Sequence, residues 1–303
     1  MSRESEKVLA EMKKYLEETS SEGMSIEELN GLLGQFTKEY TNNRHEKVTE
    51  RTAKTADDYL ALAEETTEKK KAEQYIQKAL ELEPDNLDAI GASLDLSDDT
   101  NLEYYQKLSE AVRTGSELME KKGLMDEDSI GDFWGILETR PYMRLLERRA
   151  EFLIEAGMMG QAVKECEEMI RLSNNDNLGI RFRLMHLYAF LEKEEPALEL
   201  HKKYDDHDET MMLLPLSVLF FKTGDLVKAE DYLRRLKNIN KDTKRFFRAI
   251  QREKLDRYMD GLRDFGYRPF TIEELIVDLM ENSFLFSTTP IYLEWAYEKT
   301  SNM

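Results

Sequence analysis

The stretch from residue 142 to residue 177, YMRLLERRAEFLIEAGMMGQAVKECEEMIRLSNNDN, decides the fold. Its apolar and small side chains recur every three or four positions on two successive segments, at Leu146, Ala150 and Leu153 and then at Ala162, Cys166 and Met169. That spacing keeps one face of an α-helix apolar, and Gly157 and Gly160 between the segments favour a turn. The stretch therefore predicts two helices that fold back on each other.

The same order of features returns along the chain. An earlier unit at 53–86 ends at Pro84, which lacks an amide donor and stops a helix. Two later units cover 178–204 and the region around Gly224, and Gly157 and Gly224 lie 67 residues apart. That distance is close to twice the ~34-residue period of tetratricopeptide repeats. The sequence predicts an all-α, tetratricopeptide-like helical-hairpin solenoid with atypical N- and C-terminal helices.

Capping signals and weaker patterns divide the rest of the chain. Ser25 and Glu28 form a capping box, a helix is predicted at 101–121, and Thr271 with Glu274 begins another helix. Terminal units of a solenoid are atypical because they cap the stack. We predict four segments: an N-terminal helical appendage at 1–48, a first repeat and irregular connector at 49–136, a tetratricopeptide-like repeat array at 137–242, and C-terminal capping helices at 243–303.

Composition limits the compartment and the class of partner. The chain has 303 residues, 41% of them hydrophobic, and a formal net charge of -19, which repels nucleic acid and anionic membranes at long range. The apolar run MMLLPLSVLFF at 211–221 is shorter than the roughly 20 residues of a membrane span and predicts a buried repeat helix. The charged N-terminus and the single Cys166 predict a cytoplasmic protein without disulfides.

Two short motifs carry a family resemblance. The run 137–192 contains TRPYMR at 139–144 and NDNLGIR at 175–181, and ENSFLFSTTPIYLEW follows at 281–295. These residues resemble bacterial tetratricopeptide-repeat proteins that share the signature with the eukaryotic suppressor-of-tumorigenicity-seven family. The resemblance implies a helical repeat scaffold without an established catalytic residue. Some bacterial relatives carry a cysteine-rich metal-binding tail, and since this chain has none, no metal role follows.

The arginines near these motifs are candidates for partner binding. In tetratricopeptide geometry the first helix of each pair lines the concave groove, which gives five candidate residues: Arg144, Arg148, Arg181, Met185 and Tyr188. Guanidinium groups pair with carboxylates through two hydrogen bonds, so the wider group of Arg140, Arg144, Arg148, Arg149, Arg181 and Arg183 would suit a carboxylate or an acidic peptide. The alternative is internal salt bridging to Glu147, Glu151 or Asp176.

Motifs for catalysis are missing from the sequence. It contains no glycine-rich phosphate loop, no GxSxG elbow and no HExxH pair. His201 and His207 lie beside Asp205, Asp206 and Asp208, but this spacing fits no compact metal site on one helix face. Cys166 falls on an inward stripe, where a free cysteine acts as a small hydrophobe. We predict no catalytic residue, no cofactor and no metal site.

The leading hypothesis is an adaptor that is not an enzyme. Its groove would bind another protein or a peptide carrying acidic groups or a free carboxylate, and neither nucleic acid nor a membrane. One alternative is a peptide-sensing regulator of the tetratricopeptide type, although residues 1–48 lack a basic recognition helix. Another alternative is an acidic mimic that occupies a nucleic-acid-binding protein through its surface charge.

Overall fold

The fold is all-α, as predicted. A computed structural model describes residues 3–21, 23–42, 48–204, 207–259, 262 and 266–303. In these ranges the regular structure is helical and no β-strand occurs. Asp205 and Asp206, two of the acidic residues weighed as metal ligands, lie outside the described residues.

The described residues form 17 α-helices. Six of them precede the TRPYMR motif, and a seventh begins within it. These are α1 (Arg3–Thr19), α2 (Ile26–Asn42), α3 (Ala56–Glu65), α4 (Lys69–Leu82), α5 (Leu87–Leu96), α6 (Asn101–Lys121) and α7 (Arg140–Glu155). The next five are α8 (Met159–Leu172), α9 (Ile180–Phe190), α10 (Glu194–Lys203), α11 (Thr210–Lys222) and α12 (Leu226–Ile239). The last five are α13 (Thr243–Gln251), α14 (Asp256–Met259), α15 (Ile272–Glu281), α16 (Ser283–Phe286) and α17 (Pro290–Asn302).

The chain forms two compact units, Met1–Arg149 and Ala150–Met303. The division falls inside α7, whose first ten residues belong to the first unit. The boundaries predicted at 48, 136 and 242 lie elsewhere, and the four-segment organisation stays a prediction.

In the first unit, α3 packs against α4, α4 against α5, and α5 against α6. The core of this region is formed by the buried side chains of Ala56, Leu60, Ile76, Ala79 and Ala89. Small residues at these contacts let the helix axes approach closely. α4 ends at Leu82, two residues before Pro84, as the sequence predicts. The helices α3 and α4 form the hairpin expected at 53–86, and α5 is a helix that the sequence pattern did not indicate.

In the second unit, α9 packs against α8, α10 and α11, and α11 packs against α12. Gly157 and Gly224 adopt positive φ angles of 72° and 87°, the left-handed conformation that glycine enters without steric cost and that turns the chain into the next helix. Every residue of α11 from Thr210 to Phe220 is buried, including Pro215. The apolar run is therefore a buried helix of the repeats. None of the described helices is long and apolar enough to cross a membrane.

The C-terminal helices pack back on the repeats of the second unit. α13 contacts α15 and α17, α17 contacts α12, and α16 contacts α9. Thr271 caps α15 by accepting a hydrogen bond from the Glu273 amide at 3.2 Å. Glu274 accepts from the Phe270 amide at 2.7 Å instead of the Thr271 amide that a capping box would use. The predicted start of this helix is correct, while the capping arrangement differs by one residue.

Candidate functional site

Arg144 lies on α7 and is held by two carboxylates of its own unit. Its Nε and Nη2 donate to the two oxygens of Asp88 at 2.9 and 2.7 Å, and its Nη1 donates to Glu6 at 3.0 and 3.1 Å. Burial alone would lower the pKa of Arg144, but the hydrogen bonds with Asp88 and Glu6 outweigh it and raise the pKa. Glu6 also accepts from Arg140, so this carboxylate joins two arginines.

Arg148, one turn further along α7, is paired as well. Its Nη2 donates to Asp95 of α5 at 2.7 Å. The guanidinium passes so close to α5 that a Cβ at Gly91 would lie 2.4 Å from Arg148 Nη1. Glycine at this position of α5 therefore leaves the space that the side chain occupies.

Arg181, in the first turn of α9, is also held by two carboxylates. Its Nε and Nη2 donate to Glu209 at 3.1 and 2.7 Å, and its Nη1 donates to Asp176 at 2.9 Å. Asp176 also accepts from the backbone amides of Ile180 and Arg181 and has a side chain only 1% exposed. The planar guanidinium lies 4.0 Å from the Phe182 ring centre, so both its edge and its face are in contact.

Met185 and Tyr188, two of the five candidate residues for partner binding, lie on α9. Met185 has 0% of its surface exposed, and Tyr188 is 6% exposed with its hydroxyl donating to Glu167 at 2.7 Å. Burial and this hydrogen bond raise the pKa of the Tyr188 hydroxyl. Both side chains are packed inside the repeats, so the structure does not place them on an open surface.

The internal ion-pair alternative describes what the arginines do in this structure. Asp176 and Glu151, two of the three carboxylates named from the sequence, bind Arg181 and Arg183 respectively. The other partners, Asp88, Asp95, Glu6 and Glu209, are distant in sequence and were not anticipated. A partner's carboxylate at Arg144 or Arg181 would have to displace two carboxylates of this chain. The partner-binding role of the five residues stays a prediction.

Two groups that resemble catalytic side chains are enclosed. His186 and Asp278 are both 0% exposed, with His186 Nε2 3.1 Å from Asp278 Oδ1 and His186 Nδ1 2.8 Å from the Phe182 carbonyl oxygen. Both ring nitrogens therefore face an oxygen of this chain, and none faces solvent. Cys166 is buried as predicted, and burial raises the pKa of its thiol to about 12, which suppresses the nucleophilic thiolate.

A second basic region lies at α13 and the segment that follows it. An open cavity of about 520 Å³ is lined there by seven cations together with Ala249 and Tyr258. We call this the basic pocket, and its cations are Lys241, Lys244, Arg245, Arg248, Arg252, Lys254 and Arg257. It forms because Phe246, Phe247 and Ala249 bury one face of α13 and leave the opposite face to the cations.

Few of these charges are compensated. Arg245 lies 3.5 Å from Asp242 and donates to the Tyr258 hydroxyl at 3.3 Å, and Lys244 donates to the Ser301 carbonyl at 3.1 Å. Within the described part of the chain, the other five cations have no carboxylate at salt-bridge distance. The basic pocket thus differs from the repeat arginines Arg144, Arg148 and Arg181, each of which has a carboxylate partner.

The sequence contained a signal for the basic pocket that we did not use. The segment KDTKRFFRAIQREKLDR at 241–257 places all seven cations within 17 residues of a chain with net charge -19. Lys241, Arg245, Arg248 and Arg252 recur at steps of four, three and four, which is one face of a helix. Assigning this segment only as a helix of the C-terminal cap overlooked that local excess of positive charge.

Comparisons with known proteins find similarity among solved structures. No family model matches the chain, and no curated protein matches it. Among solved structures, the chain is similar to a tetratricopeptide repeat protein from Parabacteroides merdae ATCC 43184, with 12% sequence identity and a TM-score of 0.41. That similarity covers 81% of this chain and 98% of the other. The resemblance to bacterial relatives of the suppressor-of-tumorigenicity-seven family stays a prediction.

Proposed function

We propose that the chain is a non-catalytic scaffold that binds another protein or a peptide. The observation that supports this function is the repetition of helical hairpins with small residues at the contacts. Ala72, Ala162, Ala197 and Ala229 occupy the second helix of successive hairpins and are each at most 6% exposed. Repeats of this kind stack helix on helix and present side chains of successive helices on one surface, which is the usual recognition surface of helical repeat proteins.

The enclosed reactive groups support the non-catalytic part of the proposal. A general base has to reach a substrate proton, and a nucleophile needs its ionised form. His186 has both nitrogens against oxygens of this chain and no exposed surface. Cys166 is buried with a raised pKa. Neither group is available to a substrate in this structure.

The scaffold function is tested by reconstitution. The tagged full chain is purified from its native host, an enriched protein is identified, and that protein is then produced separately and mixed with the purified chain. We expect the mixture to form a complex in size-exclusion chromatography, with slower hydrogen exchange in the helices of the repeats. If no enriched protein rebinds the purified chain, the scaffold proposal fails.

The same assay tests the predicted role of the repeat arginines. Recovery of the partner is compared for the native chain and for Arg144→Ala combined with Arg181→Ala, after circular dichroism shows that the variant is folded. Loss of the complex from a folded variant would support partner contact by these residues. Unchanged recovery would remove them from the binding site and leave them a structural role.

A further inference from the structure

The basic pocket combines a concave shape with charges that the chain leaves uncompensated. Its cavity of about 520 Å³ has room for several side chains of a partner. Five of its cations, Lys241, Arg248, Arg252, Lys254 and Arg257, have no carboxylate at salt-bridge distance among the residues that the structure describes. All five are exposed. They are therefore accessible to an anion from outside.

The arrangement of these cations works against the stability of α13. Like charges four positions apart on a helix repel, and Arg248 and Arg252 form such a pair, as do Lys244 and Arg248. The negative end of the helix dipole favours a cation in the last turn, which accounts for Arg248. It does not account for Lys241, which precedes the first residue of the helix. The chain has 62 acidic residues, so a shortage of carboxylates in the sequence does not account for this arrangement of cations.

We infer that the basic pocket binds a carboxylate-rich peptide segment of a partner protein. This inference rests on the proposed scaffold function and assigns it a site away from the five candidate residues on α7 and α9. From Arg245 to Arg252 the helix rises about 10 Å, a length that an extended peptide covers in about three residues. Alternate side chains of an extended peptide point the same way, so carboxylates at every second residue meet successive cations of the stripe. Guanidinium groups bind such carboxylates through paired hydrogen bonds.

An acidic peptide suits this site better than nucleic acid. The chain has a net charge of -19, so a nucleic acid strand that extends beyond the pocket encounters repulsion from the remaining surface. Screening at physiological salt limits this repulsion to about 8 Å, and a segment of a few residues fits within the cationic area. A single phosphate engages only some of the seven cations. The ring of Tyr258 in the lining also favours a peptide over an inorganic anion.

Binding of defined probes tests this inference. The labelled probe is a peptide with glutamate at every second position, and its counterpart has glutamine at those positions. Fluorescence anisotropy measures binding to the full chain and to Arg248→Gln combined with Arg252→Gln. We expect the glutamate peptide to bind, the glutamine peptide to bind at least about tenfold more weakly, and the double variant to lose about tenfold in affinity. Binding also weakens as salt is raised.

Two further variants make the test specific. Arg113→Gln combined with Arg171→Gln removes the same charge from exposed arginines that have carboxylate partners in their own helices, and it should change affinity less than about twofold. Lys254→Gln combined with Arg257→Gln removes two pocket cations outside α13 and should again lower affinity about tenfold. This second pocket variant keeps the test decisive if the α13 variant does not fold.

Three results would overturn the inference. The first is equal binding of the glutamate peptide to the native chain and to folded pocket variants. The second is binding of inorganic phosphate at the pocket without binding of the peptide. The third is binding of a thymidine oligonucleotide that the peptide does not displace. If a reconstituted partner complex forms equally well with the pocket variants, the pocket assignment fails while the scaffold function stands. If no partner complex forms with the native chain, the scaffold function itself fails.

Discussion

Arg181 in the repeats and Arg252 in the basic pocket carry the same guanidinium group in different surroundings. Arg181 is bound by Asp176 and Glu209 and lies against an aromatic ring. Arg252 is exposed, and no carboxylate among the described residues lies at salt-bridge distance. A cluster of arginines in a sequence therefore does not by itself identify a binding site. What matters is whether the chain supplies the matching carboxylates.

The largest effect is expected from Arg181→Ala. The substitution leaves Asp176, whose side chain is 1% exposed, and Glu209 without their cation. Removing one partner of a buried ion pair costs about 3 kcal/mol, so we expect the free energy of unfolding in urea to fall by about that amount. A loss below about 0.5 kcal/mol would show that Arg181 is as independent of the fold as the basic pocket is proposed to be.

Arg144→Ala should have the next largest effect, about 2 kcal/mol, because the Arg144 side chain is more exposed than that of Arg181 and because Glu6 keeps its contact with Arg140 when Arg144 is removed. A double-mutant cycle with Asp88→Ala measures the pair itself. We expect the two substitutions to be non-additive by about 1 kcal/mol, because the second one removes a charge that has already lost its partner. Strict additivity would contradict a structural ion pair.

A smaller, pH-dependent effect is expected at Glu274, a buried carboxyl of α15. Burial raises the pKa of Glu274, and the nearby charges of Asp278 and Glu209 raise it further. A group whose pKa is raised in the folded state contributes stability that is present below its unfolded pKa and lost as the pH rises through the folded pKa. Glu274→Gln should therefore become more stable relative to the native chain as the pH rises above about 4.5 and through the raised pKa of Glu274 in the folded state.

Urea unfolding at several pH values measures this difference for Glu274→Gln. A constant difference between variant and native chain would show that Glu274 titrates like an exposed carboxyl. Glutamine keeps an oxygen that accepts the hydrogen bond from the Phe270 amide, so the substitution changes the charge more than the contacts.

The smallest effect is expected from Arg248→Gln in the basic pocket. The substitution removes repulsion from Lys244 and Arg252 but also a favourable interaction with the end of α13, so stability should change by no more than about 0.5 kcal/mol. Thermal or urea unfolding measures it. A loss above about 1 kcal/mol would place Arg248 among the structural arginines and remove the contrast between the two regions.

Much of the fold was predictable from local signals. The helix expected at 101–121 is α6, Asn101–Lys121, and the capping box at Ser25 is formed as expected, with the Glu28 carboxylate accepting from the Ser25 amide at 2.8 Å. α5 escaped prediction because LDAIGASLDL includes glycine and serine and has no clear apolar stripe. Its position is set by packing against α4 and α6, which is tertiary information that local periodicity does not carry.

The sequence predicts only some of the carboxylate partners of the arginines. Asp176 lies close enough in sequence to Arg181 to be named as a partner. Asp88 lies 56 residues from Arg144, and Glu6 lies 138 residues away, so the fold alone brings them together. The basic pocket is the opposite case, because its seven cations lie within 17 residues of sequence and a count of local charge would have identified it.

The burial of Cys166 turns this side chain into a reporter of local opening. It is the only cysteine of the chain and has 0% of its surface exposed at the centre of α8. A thiol reagent can modify it only when α8 separates from the helices packed against it, so the rate of modification measures the free energy of that opening. Measured with and without a bound partner, the rate at this one thiol would report whether binding keeps α8 packed.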